Sequence, residues 1–262
     1  MGAANVKELE YPFDSEFILK KSKSLKRQLL SDGSRRIKKN IAVLGGSTTH
    51  DVIRILELFL LNQGIEPSFY ESEYGQYWED AVFGNEALNA FRPDIVYVHT
   101  SNRNISTWPS VTDTPEMIEE LLEHQYEHFR SMWEKIRENW SCPIIQNNME
   151  YPFYRLLGNQ DCVNPGGRTL FCQPFECKKF AAYARENSNF YINDINYQSA
   201  VYGLDEWADT FYWHMYKYAL CLKAVPWLTH NIANIIKSIY GKNKKSLVLD
   251  LDNTLWGGIV WG

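Results

Sequence analysis

The chain alternates short apolar segments with longer amphipathic ones, and this alternation constrains its fold more than any other feature. We predict a strand at each of six short apolar runs, which lie at residues 40–44, 68–70, 95–98, 143–146, 190–192 and 246–251. Segments with the helical spacing of apolar residues separate them, and two of these span residues 78–91 and 206–222. Strands separated by helices of ten residues or more form a parallel sheet that is covered on both faces. We therefore expect a three-layer α/β/α fold.

The composition is typical of a folded protein that does not span a membrane. Of the 262 residues, 45% are apolar, which is enough for one large domain with appendages. No apolar run approaches the ~20 residues that a spanning helix requires, and the first residues lack the layout of a signal peptide. The five cysteines form no CxxC pair, which favours free thiols. These features predict a cytoplasmic protein without a membrane partner.

Residues 20–39 carry nine basic side chains against one acidic side chain, Asp32, although the net charge of the whole chain is −5. Such a stretch can be a binding patch. It can also be the solvated face of a helix whose Leu25, Leu29 and Leu30 pack against the rest of the protein. Because the remainder of the chain is acidic, we expect no nucleic-acid partner. We expect the basic segment to pack through its three leucines.

The motif GGSTT at residues 45–49 follows the first predicted strand and opens a helix. Ligands of parallel sheets bind at the carboxyl ends of the strands. There, Ser47 would lie beside free backbone N–H groups, which is the arrangement that a serine nucleophile or an oxyanion hole needs. The spacing also fits an ordinary helix cap formed by Ser47 or a neighbouring threonine. Both interpretations stay open on the spacing alone.

Asp250 and Asp252 close the last predicted strand, in the segment DLDNT. Two carboxylates that are two residues apart project the same way from the end of a strand. They can bind Mg²⁺ together, while one attacks a phosphoryl group and the other handles the proton. The pattern therefore predicts phosphoryl transfer.

The segment DLDNTLWGG at residues 250–258 resembles the first motif of the haloacid-dehalogenase-like phosphotransferases, and more narrowly that of the FkbH-like proteins of subfamily IIIC. Residues 11–14 (YPFD), 145–148 (IQNN) and 157–159 (LGN) are similar to the N-terminal region of the same proteins. The resemblance implies that Asp250 is the nucleophile and Asp252 the acid/base of a Mg²⁺-dependent second domain.

The same resemblance divides the chain into three parts. Residues 1–39 form a basic helical arm, residues 40–240 an α/β domain, and residues 241–262 a linker with the first strand of the second domain. The phosphotransferase site needs further residues downstream of this first motif. We therefore expect no cofactor in the present chain, which is interpreted as a fragment, and Mg²⁺ in the complete protein.

The N-terminal region of FkbH-like proteins is similar to the SGNH (GDSL-like) esterases and acyltransferases, which have a flavodoxin-like α/β/α fold. This likeness implies that Ser47 is the nucleophile and that Gly75 and Asn102 complete the oxyanion hole. The chain departs from the SGNH pattern at three motif positions, where Gly46 replaces Asp, Thr100 replaces Gly and Arg103 replaces Asp. It also contains no DxxH motif, which supplies the aspartate and the histidine in that family.

The catalytic base is therefore the least defined member of the site. His214 is the late histidine nearest to the expected place, and Asp209 precedes it by five residues. On one helix this spacing points two side chains apart, so Asp205 is a second candidate partner of the histidine. His99, at the end of a predicted strand, is a rival base.

The preferred function at this stage is that of an SGNH-like esterase or acyltransferase, which handles an acyl group on an acyl carrier protein or on a small acyl ester. A module that docks a carrier protein without catalysis is the alternative. In a third interpretation only the DLDNT domain performs chemistry, and residues 40–240 are a scaffold.

Overall fold

A computed structural model describes residues 6–242, and its centre is a five-stranded parallel sheet with the order β2-β1-β3-β4-β5. The strands are β1 (Ile37–Gly45), β2 (Ile65–Glu71), β3 (Ile95–His99), β4 (Ile144–Asn147) and β5 (Phe190–Asn193). Every pair of neighbouring strands is parallel. The alternation of apolar and amphipathic segments thus predicted these five strands and their direction.

Helices cover both faces of the sheet. They are α1 (Ser15–Ser31), α2 (His50–Asn62), α3 (Tyr77–Val82), α4 (Glu86–Phe91), α5 (Pro115–Trp140), α6 (Arg168–Pro174), α7 (Ala181–Glu186), α8 (Ile195–Tyr202), α9 (Leu204–Trp207), α10 (Thr210–Tyr216) and α11 (Val225–Ile239). Buried residues of α1, α2, α8, α9 and α11 belong to one apolar core, and those of α3 to α7 belong to the other. The expected three-layer α/β/α fold is confirmed.

Strand β1 shows how one strand serves both cores. Ile41 and Val43 belong to the core with α2 and α11, whereas Ala42 and Leu44 belong to the core with α5. Successive side chains of a strand point to opposite faces, and here both faces are apolar because helices cover both. The carboxyl end of β1 therefore emerges at the edge of the sheet between the two helical layers.

The basic segment packs against the sheet domain, although not through all three predicted leucines. Leu25 and Leu29 are buried in the core that contains α2, whereas the side chain of Leu30 is 52% exposed. The prediction was wrong for Leu30, because it follows Leu29 by one residue and so lies about 100° farther round the helix. Lys26 forms an ion pair with Glu57 of α2 at 2.6 Å.

Two predicted helices are broken in the structure. The segment 78–91 divides at Gly84, whose φ of +84° ends α3, and the side chain of Asn85 caps α4. The segment 206–222 divides where Asp209 caps α10, and Lys217 ends this helix with a φ of +59°. In both cases a local capping group stops a helix whose apolar spacing continues.

The predicted strand at 246–251 lies outside the described residues, and so do Asp250 and Asp252. The division of the chain at residue 241 stays a prediction. Among residues 6–242, no helix is both long enough and apolar enough to cross a bilayer.

Candidate functional site

The Ser47 loop is held from both sides at the carboxyl end of the sheet. The N–H of Gly46 donates to the carbonyl oxygen of His99 at 2.9 Å, at the end of β3. The N–H of Thr48 donates to the carbonyl oxygen of Lys217 at 2.9 Å, directly after α10. Residues on both sides of Ser47 are thus bonded to neighbouring segments, which places the serine where ligands of parallel α/β sheets bind.

The hydroxyl group of Ser47 is buried and has no hydrogen-bond partner within residues 6–242. The residue is 3% exposed, and its Oγ neither donates nor accepts. It does not cap α2, because the N-cap of that helix is Thr49, whose side chain forms no capping hydrogen bond either. A buried polar group without a partner costs about 1–3 kcal/mol, and a catalytic or binding role is one explanation for such a group.

Gly75 lies in the turn after β2 with a φ of +76°, and its N–H donates to the carbonyl oxygen of Gly45 at 3.3 Å. This turn is therefore next to the Ser47 loop. The N–H, however, is directed to the backbone of β1. It is not free to bind an oxyanion in this arrangement.

The side chain of Asn102 does not form the oxyanion hole beside Ser47 that we expected. Its Nδ2 donates to the carbonyl oxygens of Glu150 at 3.3 Å and of Tyr151 at 3.0 Å. These two bonds use both hydrogens of the amide group. Asn102 thus fixes the loop after β4, and the structure shows no donor from its side chain toward Ser47.

Asn104, which sequence reasoning missed, contacts the Ser47 loop instead. Its Nδ2 donates to the carbonyl oxygen of Gly46 at 3.1 Å, and its Oδ1 accepts from the N–H of Ser101 at 3.0 Å. A Cβ atom at Gly46 would lie 2.2 Å from this Nδ2. The Asn104 side chain therefore fills the space next to residue 46 and leaves no room there for a side chain.

The structure does not bring the predicted histidine and aspartate together. His214 is exposed on α10, and Asp209 accepts a hydrogen bond from the N–H of Tyr212 at 3.1 Å, as the cap of the same helix. Asp205 is exposed on α9 and forms no hydrogen bond with His214 or Asp209 in the described part of the chain. The five-residue spacing separates the first two side chains, as helical geometry requires. No histidine of the described chain bonds to the Ser47 hydroxyl.

His99 is buried in the sheet, where it belongs to a polar network. Its Nδ1 lies 2.8 Å from the hydroxyl oxygen of Tyr97 and 3.2 Å from Nδ2 of Asn147, whereas its Nε2 has no partner in the described part of the chain. Burial lowers the pKa of His99 to about 4. The ring is therefore neutral at pH 7, and the residue lines a small cavity.

Glu150 lines the same cavity and was not identified from the sequence. The cavity has a volume of about 10 Å³, which is room for about one water molecule. One carboxyl oxygen of Glu150 accepts from the N–H of Asn102 at 3.4 Å, and the other has no partner within residues 6–242. Burial raises the pKa of Glu150 to about 7. Its place in the sequence, three residues after β4, could have indicated a residue at the carboxyl end of the sheet.

A larger cleft opens beyond the ends of β4 and β5. Its volume is about 680 Å³, and its walls include Asn148, Tyr151, Asp194, Asn196 and Tyr197. Cavities of about 300–1,000 Å³ bind small ligands in other proteins. Because Asn102 bonds to the carbonyl group of Tyr151, the wall of this cleft is connected to the turn after β3.

The described side chains, those of residues 6–175 and 178–242, include no group of three or more His, Cys, Asp or Glu that could hold a metal ion. The candidate Mg²⁺ ligands Asp250 and Asp252 lie outside the described residues. The described site is therefore one of hydroxyl, amide, imidazole and carboxyl groups.

Comparison with known proteins finds no matching protein-family model and no matching curated protein. Among solved structures, the chain is similar to the N-terminal part of the protein BF1531 from Bacteroides fragilis, which contains a phosphatase domain and was crystallised with Mg. The TM-score is 0.76 at 23% identity, over 91% of this chain and 62% of that chain. A gut microbial diltiazem-metabolizing enzyme, BT4096, aligns with a TM-score of 0.46 at 13% identity, over 72% of this chain and 42% of that chain.

The likeness to BF1531 shows a shared fold. At 23% identity it carries no residue assignments to this chain, and the chain spans less than two thirds of the solved BF1531 part. The protein shares its α/β/α architecture with part of a larger, phosphatase-containing protein.

Proposed function

We propose that residues 40–240 are the SGNH-like domain of an FkbH-like protein, and that this domain binds an acyl substrate without hydrolysing it. In this proposal the domain presents the acyl group, on a carrier protein or a small ester, to the phosphotransferase domain that begins at the DLDNT motif. The observation that carries the proposal is the environment of Ser47. Its hydroxyl has no base beside it within the described chain.

A serine is a weak nucleophile unless a neighbouring base removes its proton. The late histidine, His214, is exposed, and its nearest predicted partner caps a helix. His99 is the other candidate, but its Nδ1 is engaged with Tyr97 and Asn147, and its Nε2 forms no hydrogen bond with the Ser47 hydroxyl. The described histidines thus supply no acceptor for the Ser47 proton.

The expected oxyanion donors are also used within the fold. The Gly75 N–H bonds to Gly45, and the Asn102 amide bonds to the loop after β4. Stabilisation of an oxyanion requires donors that are aimed at the place where charge develops. Donors that are already bonded to the backbone favour binding over catalysis.

The cleft at β4 and β5 provides the volume for an acyl substrate, and its amide and tyrosine side chains offer hydrogen bonds to a carbonyl or hydroxyl group. The proposed partner domain would use Asp250 and Asp252 with Mg²⁺. The phosphatase domain and the Mg of BF1531 support this part of the proposal.

A second candidate function, acyl ester or thioester hydrolysis, is favoured by one observation. The Ser47 hydroxyl is buried at the carboxyl end of β1 and performs no capping role. An unpartnered buried hydroxyl lowers the stability of the fold. Its presence here would suit a nucleophile whose base is supplied by the substrate or by another part of the protein.

Labelling with a serine-directed fluorophosphonate separates the two functions. The binding function predicts equal, background labelling of the wild type and Ser47→Ala, and no turnover of short-chain acyl esters. Ser22→Ala, which changes a buried serine on α1, is the matched control. Labelling that Ser47→Ala abolishes and Ser22→Ala preserves, together with ester turnover, would overturn the proposal in favour of the esterase.

A further inference from the structure

Arg103 lies between two aromatic rings beside the Ser47 loop. Its guanidinium carbon is 4.2 Å from the ring centroid of Trp213 and 4.9 Å from that of Phe153. Its Nε is buried and has no hydrogen-bond partner among residues 6–242. The aromatic rings hold the planar guanidinium group in one orientation, while no carboxylate in the described chain pairs with it.

Lys217 approaches the same indole ring. Its Nζ lies 5.4 Å from the centroid of Trp213, and the residue ends α10 with a φ of +59°. The described residues form no ion pair with either Lys217 or Arg103. By contrast, Arg36 and Arg54 are paired with Asp32 and Asp51, at 2.9 Å and 2.6 Å. Two cationic side chains, neither of which has an ion-pair partner in the described chain, thus lie near the ring of Trp213.

Hydrogen bonds join the segments that carry the two cations to the residues on the two sides of Ser47. Arg103 belongs to the short turn Asn102–Asn104, and Asn104 of this turn bonds to the carbonyl oxygen of Gly46 at 3.1 Å. The carbonyl oxygen of Lys217 accepts from the N–H of Thr48 at 2.9 Å. The two cations and the unpartnered Ser47 hydroxyl therefore lie on neighbouring segments at one end of the sheet.

We infer that Arg103 and Lys217 form a binding site for the dianion of a phosphate monoester, adjacent to Ser47. The inference rests on the proposed function, because it adds a phosphate monoester group to the acyl substrate that the same domain presents. A phosphate monoester carries about −1.5 to −2 charges at pH 7, which matches the two cations. The guanidinium plane can donate two parallel hydrogen bonds to phosphate oxygens, and the ammonium group supplies a point charge.

Glu150 is the buried carboxyl group that acts on Arg103, through its charge and not through an ion pair. It is completely buried, it forms no ion pair with Arg103, and its polar contact is the N–H of Asn102. Burial lowers the pKa of Arg103, whereas Glu150 and Tyr154 oppose that effect. A bound dianion would compensate the partly desolvated guanidinium more fully than the described residues do.

The inference is tested by titrating the protein with methyl phosphate at constant ionic strength, using isothermal calorimetry. We expect Arg103→Gln and Lys217→Gln each to weaken binding about tenfold or more, because a hydrogen bond to a charged group is lost. Arg168→Gln is the matched control, since Arg168 also lies over a tryptophan, Trp108, at 5.1 Å. Its affinity for methyl phosphate should equal that of the wild type.

Titrations with two other anions test which charge the site prefers. Inorganic phosphate should compete with methyl phosphate, and acetate should bind at least tenfold more weakly, because it carries one charge. Equal affinity for acetate and methyl phosphate, or unchanged affinity in both variants, would overturn the inference.

Arg103→Lys keeps the charge and is used if Arg103→Gln does not fold. It should still weaken binding, because it loses the planar pair of donors, and wild-type affinity in that variant would also overturn the inference.

The outcome is independent of the labelling experiment on Ser47. Phosphate binding that depends on Arg103, together with fluorophosphonate labelling of Ser47, would leave the anion site intact and refute the non-hydrolytic function. Absence of labelling, together with phosphate binding that does not respond to either variant, would refute the anion site alone.

Discussion

The side-chain amide of Asn104 donates a hydrogen bond to the carbonyl oxygen of Gly46 at 3.1 Å, and it occupies the space that a Cβ atom at position 46 would need. This contact joins the turn after β3 to the loop that carries Ser47. It makes residue 46 sensitive to any side chain, although no positive φ restricts that residue to glycine.

Gly46→Ala should therefore destabilise the protein by about 1–3 kcal/mol, because the new methyl group overlaps the Asn104 side chain. The cost should be smaller when Asn104→Ala is present, since the shorter side chain leaves room. A double-mutant cycle measured by urea denaturation gives the interaction. An equal cost of Gly46→Ala in both backgrounds would show that the contact with Asn104 is not the cause.

Glu150 should make the folded protein less stable as the pH rises. Its folded-state pKa of about 7 lies above the ordinary value of 4.5, so the native state holds this proton more tightly than the unfolded state does. Stability from this group is present below about pH 4.5 and is lost as the pH rises through 7. Relative to the wild type, Glu150→Gln should gain up to about 3 kcal/mol between pH 5 and pH 8.

Unfolding by urea at a series of pH values measures this gain. Glu86→Gln makes the same chemical change at an exposed position and serves as the control. If the difference between Glu150→Gln and the wild type does not vary with pH, the carboxyl group is not desolvated as the structure indicates.

Leu29 and Leu30 test how the basic segment packs. Leu29 is fully buried and Leu30 is 52% exposed, so the same truncation at adjacent positions should have different costs. Leu29→Ala should lower the free energy of unfolding by about 2–5 kcal/mol, and Leu30→Ala should change it by no more than about 0.5 kcal/mol. Similar losses at the two positions, measured by chemical denaturation, would contradict the packing of α1 described above.

The proposed phosphotransferase chemistry has its own test in a protein that extends through the whole second domain. Hydrolysis of a phosphate ester by that protein should require Mg²⁺, and Asp250→Asn should abolish it, because the nucleophile is removed. Glu86→Gln, which changes an exposed carboxylate of the first domain, is the control and should retain full activity. Turnover by Asp250→Asn at the wild-type rate would exclude the assigned role.

The sheet could be predicted from the sequence because its signal is periodic. The apolar runs that became β3, β4 and the second half of β1 are buried on both faces, and a continuous apolar run is typical of such strands. The breaks in the predicted helices were harder to foresee. They depend on single groups, such as the αL conformation of Lys217 and the cap at Asp209, which compete locally with an apolar spacing that favours a longer helix.

The positions of the turns after the strands could be predicted from the sequence, but the contacts of their side chains could not. The sequence placed Ser47, Gly75 and the turn after β3 at one edge of the sheet, and they meet there. The direction of each amide and N–H group depends on tertiary contacts, such as those of Asn102 with the loop at Glu150. No local spacing distinguishes Asn102 from Asn104, because both lie in the same short turn.

The central claim is that this domain binds an acyl substrate without covalent attachment to Ser47. The most direct test is the intact mass of the protein after mixing with the acetyl thioester of pantetheine and quenching in acid. We predict an unchanged mass at thioester concentrations where calorimetry detects binding. An added acetyl group that maps to Ser47 and is absent from Ser47→Ala would contradict the claim.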